Sequence, residues 1–300
     1  MVVDVHAHVI VPGLGAETEW VGETQIVRFG GREIRSAVRE FVDLGRILEE
    51  QDGAGVDRVV LCPWVNLCGR DTARQNEALA AMTGDRVAAL GTVDPERPDE
   101  LRELMADGRL GGVELPASIG GVYLGDPRFG DFWAAAEETG ALVFVHPTTR
   151  GFSDPVFDQH YLWNTVGNPV ETTVTAAHLV LNGVLDDHPR LKVLLAHGGG
   201  SVLALRGRLA HEQAFHPPGR DVLAALRHFY FDTVVHDVDV LRVLVDFARP
   251  EHVLCGSDYP FDMGVERPAE IVRALALAPD DEAAILGRNA LRLLGQEVAA

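Results

Sequence analysis

Eight short runs rich in Val, Leu and aromatic residues recur along the 300-residue chain, and segments of helical spacing lie between most of them. The runs are Val2–Val9, Val56–Pro63, Val87–Val93, Gly111–Leu115, Ala141–Val145, Leu191–Ala196, His228–Thr233 and His252–Gly256. Helical periodicity falls on Leu44–Gln51, Glu100–Met105, Asp131–Thr139, Pro169–Leu181 and Val238–Phe247. Strands that alternate with helices pair in parallel, and eight such units close into a barrel whose interior side chains can just fill. The expectation is an α/β chain folded as one (β/α)8 TIM-barrel domain over residues 1–300. Pro12–Arg39 has no clear period and holds glycine-rich turns, so it reads as an insertion loop, 12–39, after the first strand. An open doubly wound sheet is the alternative, disfavoured because no Gly-x-Gly-x-x-Gly follows any strand. The helix after Gly167 carries its own start signal, with Asn168 as N-cap, Pro169 in the first turn and Glu171 three residues past the cap.

Charge and composition remove several function classes. A formal charge of -19 makes nucleic acid an unfavourable partner, since affinity for phosphate backbones rests on clustered basic residues. The only lysine is Lys192, so no phosphate-binding loop that needs a lysine after its glycines can form. Cys62, Cys68 and Cys255 are an odd number without paired metal spacing, which points to structural thiols in a reducing compartment. No apolar stretch approaches the roughly 20 residues of a membrane span, and the N-terminus opens at once into a strand-like run. A cytoplasmic protein without a membrane partner is expected.

The chemistry gathers at strand ends. In Asp4-Val5-His6-Ala7-His8 a period of two sets Asp4, His6 and His8 on one face, so that two imidazoles stand side by side. Three more runs end in residues of the same kind: Val145-His146-Pro147, Ala196-His197-Gly198 and Gly256-Ser257-Asp258. Barrel enzymes place their sites at this C-terminal edge. A mixed His and Asp set suits zinc or another first-row divalent ion. Five candidates exceed a four-ligand need, so one acts as a base. His197 takes that part, because Gly198-Gly199-Gly200 after it allows close approach of backbone and substrate. The His-Gly-Gly-Gly run also resembles a lipase oxyanion loop, but the Gly-x-Ser-x-Gly elbow of those enzymes is missing. Glu114, at the end of the fourth run, reads as a wall or supporting residue. The remaining histidines, His236 among them, read as surface or packing residues.

Taken together, the motifs resemble those of the aminocarboxymuconate-semialdehyde decarboxylase-like branch of the amidohydrolase superfamily. Asp-x-His-x-His, Val-His-Pro, Ala-His-Gly-Gly-Gly-Ser and Gly-Ser-Asp-Tyr-Pro-Phe occur in that branch's order, over nearly the whole chain. The resemblance implies one metal ion held by His6, His8, His146 and Asp258, with zinc expected and manganese the alternative. It implies His197 and Asp258 as catalytic groups, His197 activating water on the ion. Two-metal relatives bridge their ions with a lysine at an interior strand end, whereas Lys192 begins the sixth run. Gly30-Gly31-Arg32-Glu33-Ile34-Arg35 resembles a loop that binds a substrate carboxylate, which assigns that role to Arg35. Arg208 matches a second carboxylate-binding arginine that acts across the interface of a homodimer. Thr148-Thr149-Arg150-Gly151 departs from the family's tryptophan-containing continuation, leaving Trp163, with Tyr161, either to line the substrate or to pack. The implied activity is non-oxidative decarboxylation of an unsaturated or aromatic carboxylic acid. A metal-dependent hydrolase or hydratase on the same scaffold is the alternative.

Overall fold

The computed structural model describes residues 1–34, 39–148, 151–152, 154–216 and 219–296. All eight runs become strands: β1 (Val3–Val9), β2 (Arg58–Pro63), β3 (Val87–Ala89), β4 (Gly112–Pro116), β5 (Leu142–His146), β6 (Lys192–Leu195), β7 (Tyr230–Asp232) and β8 (Val253–Leu254). Parallel ladders join β1–β2–β3 and β4–β5–β6–β7–β8. Two parallel bridges close the arcs, Gly91 with Val113 and Ala7 with Tyr259. At the second seam Val5 N–H donates to Cys255 O at 3.0 Å and His8 N–H to Tyr259 O at 2.7 Å. The sheet is therefore a closed barrel, and no barrel edge is left for another chain to extend.

Helices fill the crossovers: α1 (Leu44–Gly53), α2 (Thr72–Met82), α3 (Pro98–Asp107), α4 (Gly130–Thr139), α5 (Asn168–Leu181), α6 (Val202–Glu212) and α7 (Val238–Ala248). α7 shows why they form. Asp237 caps it by accepting from Val240 N–H, and Leu241, Leu244, Val245 and Ala248 recur at helical spacing and are buried. Each buried leucine there contributes about 2 kcal/mol of hydrophobic stabilisation. No helix among the described residues is long and apolar enough to cross a membrane.

Strand alternation separates two apolar layers. Val143 and Val145 face the helices, whereas Leu142 and Phe144 face the interior with Val60, Cys62, Leu194 and Leu254. Ala290, Leu291 and Leu293 of the C-terminal segment join that interior cluster. Lys192 Nζ donates to Leu293 O at 3.1 Å, which anchors the lysine at the end of the barrel opposite the strand-end histidines.

Three expectations need correction. First, Asp4 does not share a face with His6 and His8. The β1–β2 register shifts between Asp4 and Ala7, placing one extra residue in β1, a bulge. Asp4 and Ala7 pair with Val59 and Leu61, whose side chains face the helices. Val5 joins the interior cluster, and the His6 ring lies edge-on to interior Phe144. Asp4 points the other way, accepting from Gln51 of α1 and from the Ser257 hydroxyl.

Second, the 12–39 stretch is not shapeless. Glu17–Val21, Thr24–Phe29 and Arg32–Ile34 form a three-stranded antiparallel sheet. The exposed Glu17–Val21 strand hides its periodicity behind charge, while Gln25 and Val27 alternate inward. Gly30 and Gly31, both at positive φ, supply the tight two-residue turn.

Third, Asn168 is not an N-cap. A π-helical turn, Trp163–Gly167, runs straight into α5, and Asn168 has helical φ and ψ of -61° and -51°. Its N–H reaches back five residues to Trp163 O, and this wider turn makes room for the Pro169 ring. Glu171 binds Ser118 and Thr148 rather than the helix start.

Candidate metal centre

The bulge in β1 delivers His6 and His8 into the barrel mouth, where β5 supplies His146 and the turns after β6 and β8 supply His197 and Asp258. The donor atoms of His6, His146, His197 and Asp258 all lie within 4.8 Å of one another. His8 stands beside them, its Nε2 3.1 Å from His6 Nε2 and 3.3 Å from Asp258 Oδ1. Asp258 Oδ1 is also 3.2 Å from His6 Nε2, and its Oδ2 is 3.4 Å from His197 Nε2.

Hydrogen bonds behind the rings decide which way their lone pairs point. His6 Nδ1 lies 2.7 Å from Asp232 Oδ2, and that carboxylate also accepts from the backbone N–H groups of His197, Gly198 and Val234. An ionised carboxylate can only accept, so His6 carries a proton on Nδ1 and turns Nε2 toward the cavity. His146 Nδ1 donates to Pro147 O at 2.8 Å, with the same result at its Nε2. Buried lone pairs turned toward one another repel unless a positive charge lies between them. His146 Nε2 and Asp258 Oδ1 are both buried without a hydrogen-bond partner. Nitrogen and carboxylate donors in this arrangement fit a divalent first-row ion.

The electrostatics agree. Burial alone would keep His6 neutral, but the carboxylates of Asp258 and Asp232 outweigh it and raise the ring to about 10. Burial, joined by the neighbouring imidazoles, holds His146 well below its ordinary value. Burial opposes ionisation of Asp258, yet the charge of His6 and the hydrogen bond from His197 keep it well below the usual carboxylate range. The centre thus favours a single positive charge without putting it on His146.

His197 and Asp258 both have positive φ, 56° and 60°, a conformation that costs non-glycine residues energy. Two side-chain acceptors hold those turns. Asp232 takes the N–H groups after β6, and Asp4 takes Ser257 N–H at 3.0 Å. A side chain at Gly200 would strike Pro169 O, so the glycine run lets the His197 turn press against α5. Above the centre opens a cavity of about 230 Å³, lined by His197, Asp258, Asn164, Asn168, His236 and Met263 among others.

The structure places the other expected residues as follows. Arg35 lies outside the described residues. Arg208 is exposed on α6 and does not line the cavity. Trp163 packs edge-on against Tyr161, ring centres 4.8 Å apart, just outside the lining. Glu114 is buried inside the barrel, Oε2 3.7 Å from His8 Nδ1, and burial pushes its carboxyl well up. Sequence reasoning missed Asp232, although it ends β7 as His146 ends β5. It also set aside His236, which the turn after β7 brings into the cavity wall.

Residues 3–296 match the profile of the family described as amidohydrolase. The chain belongs to that family. Within it, this amidohydrolase falls in the aminocarboxymuconate-semialdehyde decarboxylase-like branch. It is 32% identical over 203 residues to the 2-amino-3-carboxymuconate-6-semialdehyde decarboxylase of Dictyostelium discoideum, covering 65% of this chain and 56% of that protein. The amidohydrolase therefore spans only about half the length of that relative. It is 32% identical over 254 residues to a 6-methylsalicylic acid decarboxylase of Aspergillus aculeatus, covering 75% and 73%. The crystal structure of 5-carboxyvanillate decarboxylase from Novosphingobium aromaticivorans, complexed with manganese and a nitrobenzoic acid, superposes with a TM-score of 0.81 at 16% identity, covering 98% and 96%. That likeness establishes the shared barrel.

Proposed function

We propose that this amidohydrolase is a metal-dependent, non-oxidative carboxy-lyase that releases carbon dioxide from an aromatic or unsaturated carboxylic acid. The observation that carries the reading is the cluster of donor atoms gathered beneath a cavity with His197 in its wall, among them His146 Nε2 and Asp258 Oδ1, which are buried without a hydrogen-bond partner. The relatives named above, all decarboxylases of such acids, support it.

In this reading His6, His8, His146 and Asp258 hold one divalent ion, zinc, with manganese the alternative. When bound, the ion supplies Lewis acidity that fixes the substrate carboxylate and offsets negative charge developing nearby. His197 handles the proton. Its Nε2 faces Asp258 Oδ2, and the bond from its own N–H to Asp232 fixes the turn that aims it. A proton delivered to the carbon bearing the carboxylate forms a C–H bond. The C–C bond then breaks, carbon dioxide leaves, and the bonding pair restores the unsaturation of the ring or diene. No electrons are gained or lost, so no redox cofactor takes part. Asp232 acts through His6 and the His197 turn as a positioning residue. On the family resemblance, Arg35 and the Arg208 of a neighbouring subunit in a homodimer bind substrate carboxylate, while Trp163, with Tyr161, offers the substrate an aromatic surface.

Product analysis tests the proposal. Protein incubated with hydroxybenzoates and carboxymuconate-type acids releases carbon dioxide and the shortened product, and His197→Ala sharply slows release while keeping its ion. Hydrolysis of lactones or amides, or hydration of alkenes, without carbon dioxide would establish the alternative chemistry instead.

A further inference from the structure

One wall of the cavity has no part in holding the ion or moving the proton. It is built by the π-turn, which presents Asn164 and Thr165, and by Asn168 one turn further on. Asn164 and Asn168 both line the cavity. Asn168 is only 8% exposed, and its Oδ1 is buried with no hydrogen-bond donor. A carboxamide oxygen left in that state disfavours the empty cavity and favours whatever brings it a proton. Much of the surrounding lining is apolar, including Val234, Val235 and Met263, and cannot meet the need.

We propose that Asn168 is a specificity-determining residue whose carboxamide reads a hydroxyl or amino substituent on the substrate. This rests on the decarboxylase reading of the same site. The unfilled atom is an acceptor, so its partner is an O–H or N–H group. A methoxy group has no proton to give, and a second carboxylate would also meet the charge of Asp258 in the same lining. Discrimination by one buried, unmet hydrogen bond is large because the wrong substrate leaves the polar group unpaired.

The test compares matched hydroxybenzoates and methoxybenzoates on metal-loaded wild type and Asn168→Ala, by calorimetric binding and by kcat/KM. Asn168→Ser serves as a second variant, keeping a small polar side chain. Wild type favours the hydroxy acid, and Asn168→Ala loses about 10- to 100-fold of its affinity and kcat/KM for that acid alone. The methoxy acid is unaffected, and Asn168→Ser falls between. Parallel weakening toward both acids would assign Asn168 a purely structural role and overturn the proposal. Equal binding of both acids by wild type would overturn it too. Asn168-dependent discrimination in binding without any carbon dioxide release would keep Asn168 as the reader and remove the decarboxylase reading.

Discussion

The floor of the site and the wall above it arise from different parts of the barrel unit. Floor residues sit at or just beyond the C-terminal ends of β1, β5, β6, β7 and β8, where parallel pairing fixes their height and facing. Wall residues Asn164 and Thr165 come from a π-turn inside the β5–α5 crossover and Asn168 from the first position of α5, where no ladder fixes anything. The floor can therefore hold a demanding constellation with little freedom. The wall can vary, and with it the acid accepted, without disturbing the chemistry. One fold supporting many substrates follows from that division.

Substitutions can break or sharpen the contrast. Asp258→Asn should have the largest effect, because it removes the carboxylate that approaches His6, His8 and His197 together. Metal content should fall and activity should drop to background, whereas full activity in this variant would remove Asp258 from the floor. His197→Ala should keep the ion and lower kcat by about 10²- to 10⁴-fold, the usual contribution of a proton-transferring group. Unchanged kcat would relocate the proton step. Asp232→Asn should weaken metal affinity by about 10- to 100-fold, since the amide no longer accepts strongly from His6. Competition with a chelator measures this, and an unaltered affinity would mean His6 needs no orienting partner.

The smallest effect belongs to the wall's support. Burial raises the Glu171 carboxyl above its ordinary 4.5, despite hydrogen bonds from Thr148 and Ser118. A raised carboxyl contributes its full stability below pH 4.5 and loses it as pH climbs through the raised value. Wild type should therefore lose melting temperature relative to Glu171→Gln over that climb, by no more than about a few °C. Parallel curves for the two proteins would show that Glu171 titrates alike in the folded and unfolded states.

Legibility follows the same division. Strand periodicity and strand-end residue types made the barrel readable, and they singled out His6, His8, His146, His197 and Asp258, which the fold does bring together. Asp4 was misplaced because a bulge breaks the period of two and leaves no mark in residue types. Asp232 was overlooked because a carboxylate that binds only protein groups looks, in sequence, like any aspartate at a strand's end. The 12–39 sheet was hidden because its outer strand is exposed and charged, though the Gly30-Gly31 turn signalled a hairpin. Asn168 looked like a cap because Asn, Pro and Glu fit that pattern, and only the π-turn shows the helix already under way.

The central claim is that one ion, gripped by the barrel mouth, is required for the loss of carbon dioxide. Titrating metal-free protein with zinc or manganese while following carbon dioxide release tests it most directly. Activity should rise in proportion to added ion and level off at about one per chain, then vanish again with chelator. Carbon dioxide release at the full rate from protein stripped of metal would contradict it.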